Sequence, residues 1–178
     1  PDGRWDPAAR NPRSTAAGLT QFLDSTWLAE AARPGTHLNQ MAASAGWLDQ
    51  RGRVLPGARS ALLAQRLDPR HAIEAAADYA RANLDRLSAN GIALPQNDDS
   101  ALARMAYLGH HLGAGDAVRF LGRGLDSGRA RQLLASQIGD QAASRQIGAS
   151  GNAAAAHRNW LGNYIERRIN PDRFTTRG

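Results

Sequence analysis

The chain has 178 residues, no cysteine and a formal charge of +6, which excludes disulfides, thiolate catalysis and cysteine–zinc sites. All of its cationic side chains are arginine, and Ala, Leu, Arg and Gln, residues of high helix propensity, dominate the composition. Val, Ile and Phe are too scarce for a large sheet, and no apolar run approaches the length of a membrane span.

The fold class expected is therefore all-α, or mainly helical, in one domain large enough for a real core. The positive charge fits a solvated basic surface or attraction to a polyanion, and charge alone does not choose between them. No signal peptide is visible. The chain begins at Pro1 without a methionine, which leaves open residues before it.

In chain order, residues 1–18 are rich in Pro, Gly, Asn and Arg and read as an irregular lead-in. A helix is predicted to start near Thr20, with Leu19, Phe22, Leu23, Thr26 and Trp27 on one apolar face and Pro34-Gly35 as its stop. A short helix is expected at His37–Ser44 and a glycine-rich loop over 46–57. Helix is expected again at Ala58–Leu67. Asp68-Pro69 supplies a cap and a first-turn proline for a long helix ending at Asn90-Gly91. Asp98 or Asp99 caps another, interrupted by Gly113-Ala114-Gly115 and resumed over Asp116–Leu121. Modest helices at 128–136 and 139–147 lead to a joint at Gly148–Asn152. A last helix runs from about Ala153 to Ile169, ended by Asn170-Pro171. One domain, 1–178, is expected, with a helical insertion or lobe at about 35–98.

Two segments stand out. Ser14-Thr15-Ala16-Ala17-Gly18-Leu19-Thr20-Gln21-Phe22, followed by Thr26-Trp27, is a glycine turn leading into an amphipathic helix. It places Gly18 at a special backbone angle and Phe22 and Trp27 in the core, but leaves Gln21 as a surface amide or a ligand contact. Ala106-Tyr107-Leu108-Gly109-His110-His111-Leu112-Gly113-Ala114-Gly115 sets Tyr107 and His110 at i and i+3 on one helix face. His110 and His111 diverge by about 100° around a helix, and no His-Glu-x-x-His is present, so no metal site is expected and no cofactor.

The first segment resembles the Ser-x-Ala-x-Gly-Leu-x-Gln-Phe signature of lysozyme-like lytic transglycosylases and related phage endolysins. The second is similar to the family's Tyr-x-x-His-x-x-Gly-Ala-Gly stretch. Trp160-Leu161-Gly162-Asn163-Tyr164-Ile165 resembles the family's closing helix, without the Glu-Thr usually seen before the tyrosine. The resemblance covers about 14–28, 106–121 and 160–168, and nothing over 35–98. It implies a lysozyme-like domain with a substrate cleft. Gln21 and Phe22 would lie on one wall, Tyr107 and His110 on another, and Tyr164 near the acid.

The family's reaction breaks the bond between N-acetylmuramic acid and N-acetylglucosamine with one carboxyl group, acid first and then base, drawing the sugar's own 6-hydroxyl onto the anomeric carbon. Such a donor needs a raised pKa, and no second carboxylate is required, unlike ordinary glycosidases. The family's acid is a Glu in a Glu-Ser-x-aromatic-x-Pro context. Here Trp5-Asp6-Pro7 matches its end and counting back gives Asp2, an aspartate. Three alternatives stand: Asp2 is the acid, a Glu precedes Pro1, or the domain binds glycan without cutting it. Asp2 is shorter by a methylene, and a displacement of about 1 Å can cost on the order of 100-fold in rate. Of the three glutamates, Glu30 and Glu74 are expected in solvent, and Glu166 is flanked by Arg167 and Arg168, which favour a carboxylate over a proton donor. Asp24 is a remote candidate for a second acid.

The resemblance thus implies a peptidoglycan lytic transglycosylase, with a hydrolytic muramidase or an inactive glycan-binding module as alternatives. Its partner would be peptidoglycan glycan strands, within a secretion, flagellar or phage assembly. Its place would be the periplasm or the exterior, or a phage that delivers it to the cell wall. Nucleic acid is not expected, because no helix interleaves arginines with base-stacking aromatics.

Overall fold

The computed structural model describes residues 6–12 and 14–168. Among them are nine α-helices: α1 (Asp24–Ala32), α2 (His37–Ser44), α3 (Arg59–Ala64), α4 (Pro69–Ala89), α5 (Asp99–Leu112), α6 (Ala114–Leu121), α7 (Ser127–Ile138), α8 (Asp140–Ser150) and α9 (Ala153–Arg168). The described residues form no β-strand, only isolated bridges, so the chain is mainly helical as its composition predicts. It divides into two compact units, one ending at Tyr79 and the other beginning at Ala80. The boundary lies inside α4, within the stretch 35–98.

In the first unit Phe22, Trp27, Ala31, Leu38, Ala42, Leu62 and Ala75 form the core. Trp27 is fully buried and its one polar atom is satisfied, because Nε1 donates to the Leu62 carbonyl at 2.8 Å. The helices begin where side chains relieve orphan N–H groups: the Thr36 hydroxyl accepts from Asn39 N at 3.0 Å and Asp68 Oδ1 from Arg70 N at 2.8 Å. Helix α1 starts at Asp24, not near Thr20. Gln21 has φ +54° and Leu23 is extended, so the segment before Asp24 turns instead of coiling.

Glu30 departs from expectation as well. It is buried, not in solvent, and is held by an ion pair with Arg33, whose Nη2 also donates to the Asp78 carbonyl at 3.1 Å. A carboxylate can leave water here because a two-pronged guanidinium replaces its hydration. Glu74 is exposed.

The second unit packs Leu87, Leu108, Leu112, Ala117, Phe120, Leu161 and Ile165 into its main core. Leu134, Ala143 and Ala156 form a smaller one where α7, α8 and α9 meet in pairs. Asp98, Asp126 and Asn152 cap α5, α7 and α9 through Ala101 N, Arg129 N and Ala155 N. Gly109 lets α5 approach the second half of α4, since a Cβ there would come within 2.6 Å of Asn83 Cβ. Helix α8 continues through Gly148 to Ser150, which narrows the expected joint to Gly151-Asn152. The stop at Asn170-Pro171 lies outside the described residues.

Candidate functional site

The glycine turn of the first unit is a clasp built on Arg66. Ala17 bridges Phe22 on one side and Arg10 on the other, closing the turn that carries Gly18 and Gln21. Gly18 has φ +76° and sits so close to the Arg66 backbone that a Cβ would stand 1.9 Å from its carbonyl oxygen. The Arg66 side chain, only 6% exposed, reaches back into the turn. Its Nη1 donates to the carbonyls of Thr15 at 2.8 Å and Phe22 at 2.9 Å and pairs with Asp24 Oδ1 at 2.8 Å. Asp24 is thus the counter-ion of a buried guanidinium rather than a second acid.

Gln21 is half-buried in this turn, not on the first turn of a helix. Its amide nitrogen donates to the carbonyls of Gly18 at 2.8 Å and Ala9 at 3.3 Å. An NH2 group has two donors, so both are spent on the loop and the carbonyl oxygen is the part left to meet a ligand. Phe22 does not face a ligand. It is 1% exposed and meets the rings of Trp27 and Tyr79 edge-on, each at 5.5 Å between centroids. Its burial follows from the same periodicity that puts Trp27 in the core, and it supports the turn from beneath.

In the second unit α5 and α9 bring four rings together. Tyr107 stacks on His111 at 5.6 Å and on Tyr164 at 6.0 Å. Trp160 stacks on Tyr164 at 5.5 Å and lies 5.9 Å from His111. The histidine in the stack is His111, where the motif points to His110. Position i+4 from Tyr107, not i+3, lies over its ring; His110 is half-buried beside it. The Tyr107 hydroxyl lies 3.4 Å from His111 Nδ1. Burial pushes the His111 imidazole down to about 4, with the charges of His157 and His110 adding to the effect. At neutral pH it is therefore an uncharged aromatic member of the stack.

The outer side of Trp160 and Tyr164 borders an open groove of about 540 Å³ between α8 and α9. Its polar lining is Gln146, Ser150, Asn159, Asn163 and Arg167. Flat rings flanked by amides and a guanidinium suit a ligand with apolar C–H faces and many hydroxyls. No Asp or Glu lines the groove among the described residues. Asp2, the acid expected by resemblance, lies outside the described residues. Among the described residues no three His, Cys, Asp or Glu side chains gather as metal ligands; His37 and His71 instead hydrogen-bond to each other at 2.7 Å.

No protein-family model, curated protein or solved structure shows a significant match to the chain. The likeness to lytic transglycosylases rests on the quoted motifs. Sequence reasoning gives no site role to Arg66, His111 or the groove's Trp160, Asn163 and Arg167. Trp160 and Tyr164 were within reach, since i and i+4 share a helix face. Arg66 carries no signal in a chain with so many arginines.

Proposed function

We propose that this protein acts on peptidoglycan glycan strands as a lysozyme-like lytic transglycosylase, with Gln21, Tyr107 and Tyr164 as substrate contacts and Asp2 as the acid/base. The observation that supports the reading is the stack. Tyr107 and Tyr164, picked from separate motifs, meet face to face at 6.0 Å beside a groove of sugar-binding character. On this reading the acid protonates the glycosidic oxygen. As a carboxylate it then takes the proton of the muramic acid 6-hydroxyl, whose oxygen closes onto the anomeric carbon to give a 1,6-anhydro sugar. Water in place of that hydroxyl would give a muramidase. The carboxylate-free lining of the groove favours, as a second reading, a module that holds glycan without cutting it. The periplasm, the cell exterior or a phage particle is where such a substrate is met.

Mass spectrometry of purified peptidoglycan after incubation separates these readings. Anhydro-muropeptides from the wild type and none from Asp2→Asn support the transglycosylase. Reducing-end products mean a muramidase. Glycan binding without products means the binding module. Neither products nor binding sinks the proposal. Tyr164 is exposed enough to be truncated without opening the core. Tyr164→Ala should weaken binding of chitooligosaccharide or soluble glycan strands about tenfold, or ~1.4 kcal/mol. Calorimetry showing unchanged affinity in a folded variant would remove Tyr164 from the site.

A further inference from the structure

The Gly113-Ala114-Gly115 stretch, drawn by resemblance into the glycan site, contributes to a different pocket. Ala114 and Gly115 line a pocket of about 520 Å³ together with Arg86 near the end of α4 and Arg119 and Arg123 in and after α6. Ile92 and Val118 also line it. None of these residues borders the aromatic groove. We propose that this pocket binds a small phosphate ester, with Arg86, Arg119 and Arg123 as the groups that hold its phosphate.

Charge carries the argument. Three guanidiniums line one concavity, and no carboxylate is among its lining residues. Two acids adjoin lining residues in sequence: Asp85 beside Arg86 is exposed and does not line the pocket, and Asp116 beside Gly115 is buried and already doubly engaged. It accepts from Arg119 Nη1 and from Arg129 Nε, each at 2.7 Å. Its single charge is thus shared with an arginine that does not line the pocket. The guanidiniums of Arg86 and Arg123 have no hydrogen-bond or ion-pair partner among the described residues, and both residues are exposed. Like charges gathered around a hollow repel one another, and an anion bound in their midst reverses the sign of that interaction.

The shape of the donors narrows the anion. Guanidinium forks suit both carboxylate and phosphate. A carboxylate offers two coplanar oxygens, which one fork exhausts. A terminal phosphate offers three oxygens pointing apart and about two charges, matching several arginines arrayed around it. No side chain caps the start of α6, whose first two residues, Ala114 and Gly115, line the pocket, so backbone N–H donors are available beside the arginines. The volume and the apolar side chains of Ile92 and Val118 in the lining fit the remainder of a small molecule rather than a polymer lying across a surface.

Titration calorimetry at low salt with pyrophosphate, methyl phosphate, acetate and a short DNA duplex tests this. Expected is binding of pyrophosphate and, more weakly, methyl phosphate. In Arg86→Gln/Arg123→Gln the pyrophosphate affinity should fall by about tenfold or more, with the melting temperature unchanged. The arginine side chains replaced are exposed, and the hydrogen bond from Asn90 goes to the Arg86 backbone, so the double variant keeps its fold. Absence of pyrophosphate binding at millimolar concentration overturns the proposal, as does equal binding by the double variant. Acetate binding as tight as pyrophosphate overturns the phosphate assignment. Duplex binding that pyrophosphate does not compete, yet the double variant loses, replaces the pocket with a nucleic-acid surface.

Discussion

Arg66→Ala should destabilise the first unit by on the order of 3 kcal/mol, the range for removing one partner of a buried ion pair. The cost arises at several points together. Asp24 loses its counter-ion, and the Thr15 and Phe22 carbonyls lose the donors that fix the turn. Gly18→Ala should be at least as damaging, because its Cβ would overlap the Arg66 carbonyl oxygen and its φ of +76° is costly for any side chain. For a unit of this size the loss corresponds to a fall in melting temperature of at least about 10 °C. Arg66→Lys should recover only part, since an ammonium has no second nitrogen to replace Nε, which donates to the Leu63 carbonyl at 3.1 Å. Thermal denaturation monitored by circular dichroism reads all three. An Arg66→Ala variant melting within a degree or two of wild type would show that the turn holds without its clasp. The same variant should weaken any glycan contact made by Gln21, because the loop that orients its amide is the loop Arg66 ties down.

The helices were largely legible because their ends are chemically marked. Asp68 with Pro69, Asp98, and Asn152 each sit where an N–H is relieved, and periodicity filled the spans between. The first helix was misplaced by a turn for a physical reason. Leu19, Phe22, Leu23 and Trp27 have helical spacing, but Phe22 reaches the core from a bridge rather than from a helix. Apolar spacing reports which residues are buried, and a tight turn followed by a helix can satisfy it too. The division at Tyr79/Ala80 left no trace, because it falls within an unbroken helix whose composition does not change.

The motifs picked out side chains that pack together, without fixing the contacts they make. Tyr107 and Tyr164 stack on each other, His111 and not His110 joins the stack, and Phe22 is core. A pattern fixes a helix face to within about one position, or about 100° of rotation. Only the packing of α5 on α9 decides which of two adjacent histidines stacks. Buried arginine is uncommon, and nothing in Gln65-Arg66-Leu67 distinguishes that arginine from its exposed counterparts. Glu30 was misjudged similarly, since its burial depends on Arg33 three residues later closing over it.

Acidification should unfold the second unit well before ordinary carboxylate titration does. Burial holds His111 at about 4, against an ordinary value near 6.5, and lowers His157 also, with Arg158 adding to the effect and Asp116 opposing it. His157 is 1% exposed, lies edge-on to Phe120, and neither ring nitrogen has a hydrogen-bond partner among the described residues. A proton on it would enter a buried site with no hydrogen-bond acceptor to receive it. Between about pH 4 and 6.5 the unfolded chain therefore binds more protons than the folded one, so stability rises with pH across that window. The contribution is complete above 6.5 and lost as pH falls toward 4. For His111 alone it is roughly 3 kcal/mol, with His157 acting in the same direction. Asp49 and Asp68 also sit below their ordinary value, through hydrogen bonds from backbone N–H groups. Their titration lies below that of the histidines, so the upper window belongs to the imidazoles. Denaturation midpoints from pH 7.5 to 4.5 should fall steadily in the wild type. His111→Phe keeps a flat ring in the stack without a titrating nitrogen and should flatten the slope between 6.5 and 4.5. The same slope in both proteins would mean that His111 takes up its proton as easily folded as unfolded, and the neutral aromatic stack beside the groove would lose its physical basis.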